Sequence, residues 1–172
     1  MIASVSTRTI IDAKLTVPNP PNDLVLRPAV ACRLATAQTQ SLTLICAPAG
    51  YGKTTAVAAW LRSQADLSPA MLVAWYALDE SDDHFFTFVT YLAAAIERVL
   101  PGVCRQVTAS LQEGDLPAPD HLAALLLADL AHLPQRLTLV LDDYHHVHAP
   151  AIHALMIAVV QHPPPLLHLV VI

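Results

Sequence analysis

Short runs of consecutive apolar residues alternate along this chain with longer stretches in which apolar residues recur every three or four positions. The runs are Leu42–Cys46, Met71–Tyr76, Leu137–Leu141 and Leu166–Ile172, and the first three close on turn-forming or acidic residues. Apolar at nearly every position, they read as strands buried on both faces. Between them, Arg33–Gln40 reads as helical, and Val57, Trp60 and Leu61 fall at helical spacing. Phe85, Phe88, Val89, Leu92, Ile96 and Val99 trace one face of a helix that Pro101-Gly102 stops. Asp120 is expected to cap a helix carrying Leu122, Leu125, Leu126 and Leu133. Pro150 is expected to open a short one carrying Ile152, Leu155, Met156 and Val159, closed by Pro163-Pro164-Pro165. Strands alternating with helices predict an α/β fold whose parallel sheet is covered on both sides.

The length of 172 residues suits one domain. The proline-dense segment Thr16–Asp23 is expected to separate a flexible leader, residues 1–23, from a folded unit spanning 24–172. With 14 Asp+Glu against 9 Lys+Arg, the chain lacks the clustered cations that phosphate neutralisation on DNA requires, so direct nucleic-acid binding is not expected. Three scattered cysteines suggest neither a disulfide framework nor a zinc site, and a reducing cytoplasm fits them. After Asp143 no Asp, Glu, Lys or Arg occurs, but six histidines and the proline triplet interrupt the apolar character, so no membrane span is expected.

Only four glycines and two lysines are present, and Gly50, Gly52 and Lys53 fall together in Ala47-Pro-Ala-Gly-Tyr-Gly-Lys-Thr-Thr55, between a strand and a helix. A loop that wraps a polyphosphate turns successive backbone N–H groups into one concavity, which needs the conformational freedom of glycine, and the following helix adds its own N–H groups and dipole. Ala49, Gly50, Tyr51, Gly52, Lys53, Thr54 and Thr55 are therefore the candidate nucleotide-binding residues. Lys53 would reach the β- and γ-phosphates and Thr54 would complete a Mg²⁺ shell. The strict pattern has glycine at position 47, where this chain has alanine.

The second constellation is Leu137-Thr-Leu-Val-Leu-Asp-Asp143. In an open α/β sheet the ligand lies beyond the carboxyl ends of the strands, so both acids would face the crevice that holds the loop. Asp142 is the candidate Mg²⁺ ligand beside Thr54, and Asp143, with Lys53, the candidate catalytic group, polarising an attacking water. His145, His146, His148 and His153 read as polar loop and helix residues rather than a metal set, and Trp75 and Tyr76 as core.

Ala47–Thr55, then Trp75-Tyr-Ala-Leu-Asp-Glu-Ser-Asp-Asp83, then Leu139-Val-Leu-Asp-Asp-Tyr-His-His-Val147 resembles the N-terminal ATPase domain of the large ATP-binding LuxR-family transcriptional regulators of the maltose-regulon-activator type, members of the STAND class of P-loop ATPases. The resemblance implies a P-loop NTPase three-layer αβα sandwich, with the last strand inserted between the loop strand and the Asp-Asp strand. It also implies a switch in which ADP holds the resting form and ATP with an inducer permits self-association and promoter activation. Arg27-Pro28 would lie near the adenine. The family's winged-helix, helical-repeat and DNA-binding segments are missing, and the chain stops before a Ser/Thr-Arg pair that would sense the γ-phosphate. The resemblance thus implies a core incomplete at its C-terminus, with the loop strand as an unpaired edge. A small P-loop kinase and a non-catalytic remnant or interaction fragment are the alternative readings.

Overall fold

The computed structural model describes residues 10–21, 27–67, 71–112 and 117–172. Four strands, β1 (Leu42–Leu44), β2 (Leu72–Ala77), β3 (Leu137–Asp142) and β4 (Leu167–Val171), form one parallel sheet in the order β1-β4-β3-β2. The last strand is central, as the resemblance implied, and β1 is an edge on which Leu44 is 63% exposed.

The helices are α1 (Pro28–Ala37), α2 (Lys53–Leu67), α3 (Phe85–Val99), α4 (Arg105–Gln112), α5 (Pro119–Ala131) and α6 (Pro150–Gln161). Alternation along the strands assigns them to two layers. Trp75, Val140 and Val170 form one row across β2, β3 and β4 and pack with Leu34 of α1 and Val57, Trp60 and Leu61 of α2. The next row, Tyr76, Leu141 and Val171, faces the other way, toward Phe88, Leu92 and Ile96 of α3, Leu126 of α5 and Ile152 of α6. The result is the three-layer αβα sandwich, and every residue of β3 and β4 is buried.

Three expectations need correction. The first helix begins at Pro28 rather than Arg33, because Pro28 occupies its first turn while the chain beyond Ala37 passes into a turn toward β1. Asp120 does not cap α5: Pro119 precedes it inside the helix, Ala118 is the N-cap without a side-chain bond, and Asp120 lies in the first turn. The leader is not loose throughout. Asp12–Leu15 form a short 3₁₀ turn with Leu15 in the main core, and Lys14 is 9% exposed beside two carboxylates. Residues 1–9 and 22–26 of that expected leader lie outside the described residues.

Candidate functional site

From β1 the chain runs through Ile45–Gly52 and turns into α2 at Lys53. Gly50 and Gly52 have φ of 80° and 73°, the left-handed region that residues with a Cβ rarely adopt. Ala47, in contrast, is not among the non-glycine residues with positive φ, so alanine in place of the glycine of the strict pattern costs no backbone strain. Ala49 and Tyr51 are exposed at the loop's surface, and Ala56 N–H bonds Gly52 O at 2.9 Å as α2 gets under way. The Lys53 ammonium folds back over the loop and donates to the carbonyls of Ala47 (3.0 Å) and Pro48 (3.4 Å).

One residue further, Thr54 Oγ1 donates to Asp142 Oδ1 at 2.8 Å. The loop helix and the end of β3 therefore meet side chain to side chain. Asp142 is 4% exposed. Burial raises its carboxyl above the usual range, while the Thr54 bond opposes that rise. The same oxygen accepts from the Asp143 N–H at 3.1 Å. Asp143 itself adopts φ 55° and ψ 40°, left-handed for a non-glycine residue, and its half-exposed carboxylate lies 3.6 Å from His145 Nδ1.

Beside the loop, between α1 and α2, lies a cleft of about 420 Å³ lined by Arg27, Pro28, Tyr51, Thr55, Ala59 and Trp60, among others. Its lining is mostly apolar, and Arg27 Nη1 donates to Tyr51 O at 3.4 Å. Thus Thr55 faces the cleft while Lys53 and Thr54 face the loop and β3.

A family model described as AAA domain matches residues 35–168. The chain belongs to the AAA domain family. Among curated relatives, the HTH-type transcriptional regulator MalT of Cronobacter sakazakii is 36% identical over 163 residues, and that of Yersinia enterocolitica 37%. Each alignment covers 95% of this chain but 17% of the relative, so the chain spans about a sixth of the length of these regulators.

In this AAA domain the acidic turn after β2 gains roles that spacing alone did not give it. Asp79 caps the turn, accepting from Ser81 N–H, and Asp82 returns a bond from Asp79 N–H at 2.9 Å. Lys14 bridges both, at 2.8 Å to Asp79 and 2.6 Å to Asp82. Lys14 and Ser81, chief among other partners, hold the Asp79 carboxyl down to about 2. Burial alone would lower the Lys14 value, but the two carboxylates outweigh it and raise it. Buried nearby, the Tyr76 hydroxyl and Asp82 Oδ1 lack a hydrogen-bond partner of good geometry among the described residues, and burial followed by the Asp82 charge pushes the phenol up. Asp83 reaches the opposite way: its Oδ1 accepts from His148 N–H (2.8 Å) and Ala149 N–H (2.7 Å) at the start of α6.

The His145 and His146 rings lie with centroids 4.2 Å apart, tilted by 35°, His153 Nδ1 pairs with the Tyr144 hydroxyl, and no metal-holding group of three His, Cys, Asp or Glu occurs among the described residues. Trp75 and Tyr76 are core. No helix among the described residues is long and apolar enough to cross a membrane.

Proposed function

We propose that this chain is the ATP/ADP-binding switch domain of a LuxR-type transcriptional regulator, binding nucleotide with Mg²⁺ and hydrolysing it at most slowly. The observation that carries this reading is the Thr54–Asp142 hydrogen bond, which brings the hydroxyl after the loop lysine onto the acidic end of β3. On this reading the nucleotide-binding unit comprises residues 24–172, joined by the packed turn at Asp12–Leu15.

Each group then has a task. Loop N–H groups of Ala49 to Gly52 and the first turn of α2 receive the phosphates, with the helix dipole favouring their charge. The Lys53 ammonium, now satisfied by two loop carbonyls, exchanges them for phosphate oxygens. The apolar cleft between α1 and α2, with a volume in the range of small-ligand sites, takes the base, and Arg27-Pro28 forms one of its walls.

The donors Thr54 and Asp142 are a hydroxyl and a carboxylate, the hard oxygen ligands that Mg²⁺ prefers, and the raised Asp142 carboxyl is one that a nearby cation would favour ionised. When bound, Mg²⁺ offsets the charge of the phosphate oxygens. Asp143, at the mouth of the site, orients water. A resting ADP form, an ATP form that self-associates, a cytoplasmic setting and no contact of this segment with DNA or membrane complete the reading. The relatives' name as HTH-type transcriptional regulators supports the regulatory part.

The test is titration of a fluorescent ATP analogue with Mg²⁺ into the chain and into Lys53→Ala. Saturable binding by the former and its loss in the variant is the expected result. Equal binding by both would remove the loop from the site.

A further inference from the structure

The left-handed Asp143 is a costly backbone position for a residue with a Cβ, and such positions persist when their surroundings over-determine them. What fixes this one can be read along the chain. Before and at the turn, Asp143 N–H bonds Asp142 Oδ1, and Tyr144 N–H bonds Ile172 O at 2.9 Å. Within it, His146 N–H returns to Asp143 O and Val147 N–H to Tyr144 O, and Val147 is buried in the core. Past it, the next two backbone donors, His148 and Ala149, both go to one oxygen of Asp83.

Asp83 belongs to the segment leaving β2, and β2 is the neighbour of β3, with Ala77 in register with Asp142. One outgoing strand end thus grips the other. The two N–H bonds also hold the Asp83 carboxyl below its usual range, so it is a charged acceptor at neutral pH.

From this arrangement we infer that Asp83 is a positioning residue for Asp143: by clamping the exit of the turn through residues 148 and 149, it holds the Asp143 carboxylate at the mouth of the nucleotide site. The inference rests on the nucleotide-switch reading above. Asp83 touches neither nucleotide nor water in this scheme. Its removal releases the turn while leaving Lys53, Thr54 and Asp142 in place, so the effect falls on the step that needs Asp143 and not on nucleotide affinity.

The experiment compares the chain with Asp83→Ala, Asp83→Asn and Lys53→Ala. It measures affinity for Mg·ADP, the single-turnover rate of ATP hydrolysis with protein in excess, and trapping of Mg·ADP with aluminium fluoride, which needs no turnover. Asp83→Ala is expected to keep Mg·ADP affinity within about twofold and to lose about tenfold or more in both hydrolysis and trapping, as a misplaced reacting group does. Asp83→Asn, which retains an oxygen acceptor for both amides, is expected to restore them. If Asp83→Ala fails to fold, Asp83→Ser, too short to reach both amides, takes its place.

Unchanged hydrolysis and trapping in the alanine or serine variant would overturn the inference. So would parallel losses of Mg·ADP affinity in the alanine and asparagine variants, which mark a general structural role. A chain that binds Mg·ADP through Lys53 yet neither hydrolyses nor traps would also end it, because Asp143 then has no step to serve. Binding that ignores Lys53→Ala defeats the site reading itself and is recognised separately from every Asp83 result.

Discussion

Thr54 Oγ1 and Asp142 Oδ1, 2.8 Å apart, tie the first turn of α2 to the end of β3. A buried carboxylate that loses its hydroxyl donor keeps its desolvation cost, so Thr54→Ala is expected to lower stability by about 1–3 kcal/mol. Thr54→Ser, which keeps the donor, should lose much less. In nucleotide titrations with and without Mg²⁺, Thr54→Ala should erase most of the metal-dependent gain in affinity and leave the metal-free affinity nearly unchanged. An alanine variant with the full Mg²⁺ dependence would take Thr54 out of the metal site.

Lys14 joins the N-terminal turn to the acidic turn after β2, and Asp82 on the far side of that pair has a fully buried side chain. Removing the cation alone strands a buried charge, so Lys14→Met is expected to cost on the order of 3 kcal/mol, and Lys14→Met with Asp82→Asn to recover part of it. The pH window follows from the two shifts. Asp79 is depressed to about 2, so its share is present above the ordinary carboxylate value of 3.8 and is lost as pH falls through about 2. Lys14 is raised, so its share is full below 10.5 and is lost as pH climbs through the raised value. Hydrogen exchange at Ile11, whose N–H bonds the Tyr91 hydroxyl, should report release of the turn outside that window.

His168 lies in β4, 1% exposed, with Nε2 at 2.9 Å from Thr43 Oγ1 and Nδ1 without a partner among the described residues. Burial first, and Arg136 second, depress it to about 4. Between that value and the ordinary 6.5 the unfolded chain binds the additional proton, so stability is full above 6.5 and declines as pH falls through about 4. The decline amounts to at most about 3 kcal/mol. Urea unfolding at pH 7 and pH 5 should show a flatter acid limb for His168→Gln. The same slope in both proteins would assign acid sensitivity elsewhere.

Leu44 is 63% exposed on β1, which pairs only with β4 among the described residues. An apolar edge strand is a template for further pairing, and a charge on it blocks that. Leu44→Lys is therefore expected to suppress concentration-dependent association of this chain in light scattering without altering nucleotide affinity. Unchanged association would place the contact on another face.

The strands were legible because each is apolar at nearly every position, and α3 because Phe88, Leu92 and Ile96 keep strict helical spacing. The loop was legible because Gly50, Gly52 and Lys53 concentrate scarce residues. What stayed hidden depends on partners distant in sequence. Helix α4 is anchored by Glu97, which accepts from Gly102 and Cys104 N–H, and by Asp129, which accepts from Val107 N–H. Neither carboxylate announces that task in the local pattern. In the same way, Asp79, Asp82 and Asp83 looked like one acidic run, although two of them hold Lys14 and the third holds the start of α6.

The sheet order also sets a timetable for folding. β1 comes early in the chain, yet Leu42 pairs with Leu169 and Leu44 with Val171, so the strand from which the glycine loop springs has no described backbone partner until β4 has been made. Pairings so distant in sequence close late, after the local helices. Among the described strands, β1 and the loop it feeds therefore gain their foundation only once β4 is in place. A ligand held by that loop binds only molecules whose β4 has already docked, and by mass action draws newly made chains toward the finished fold.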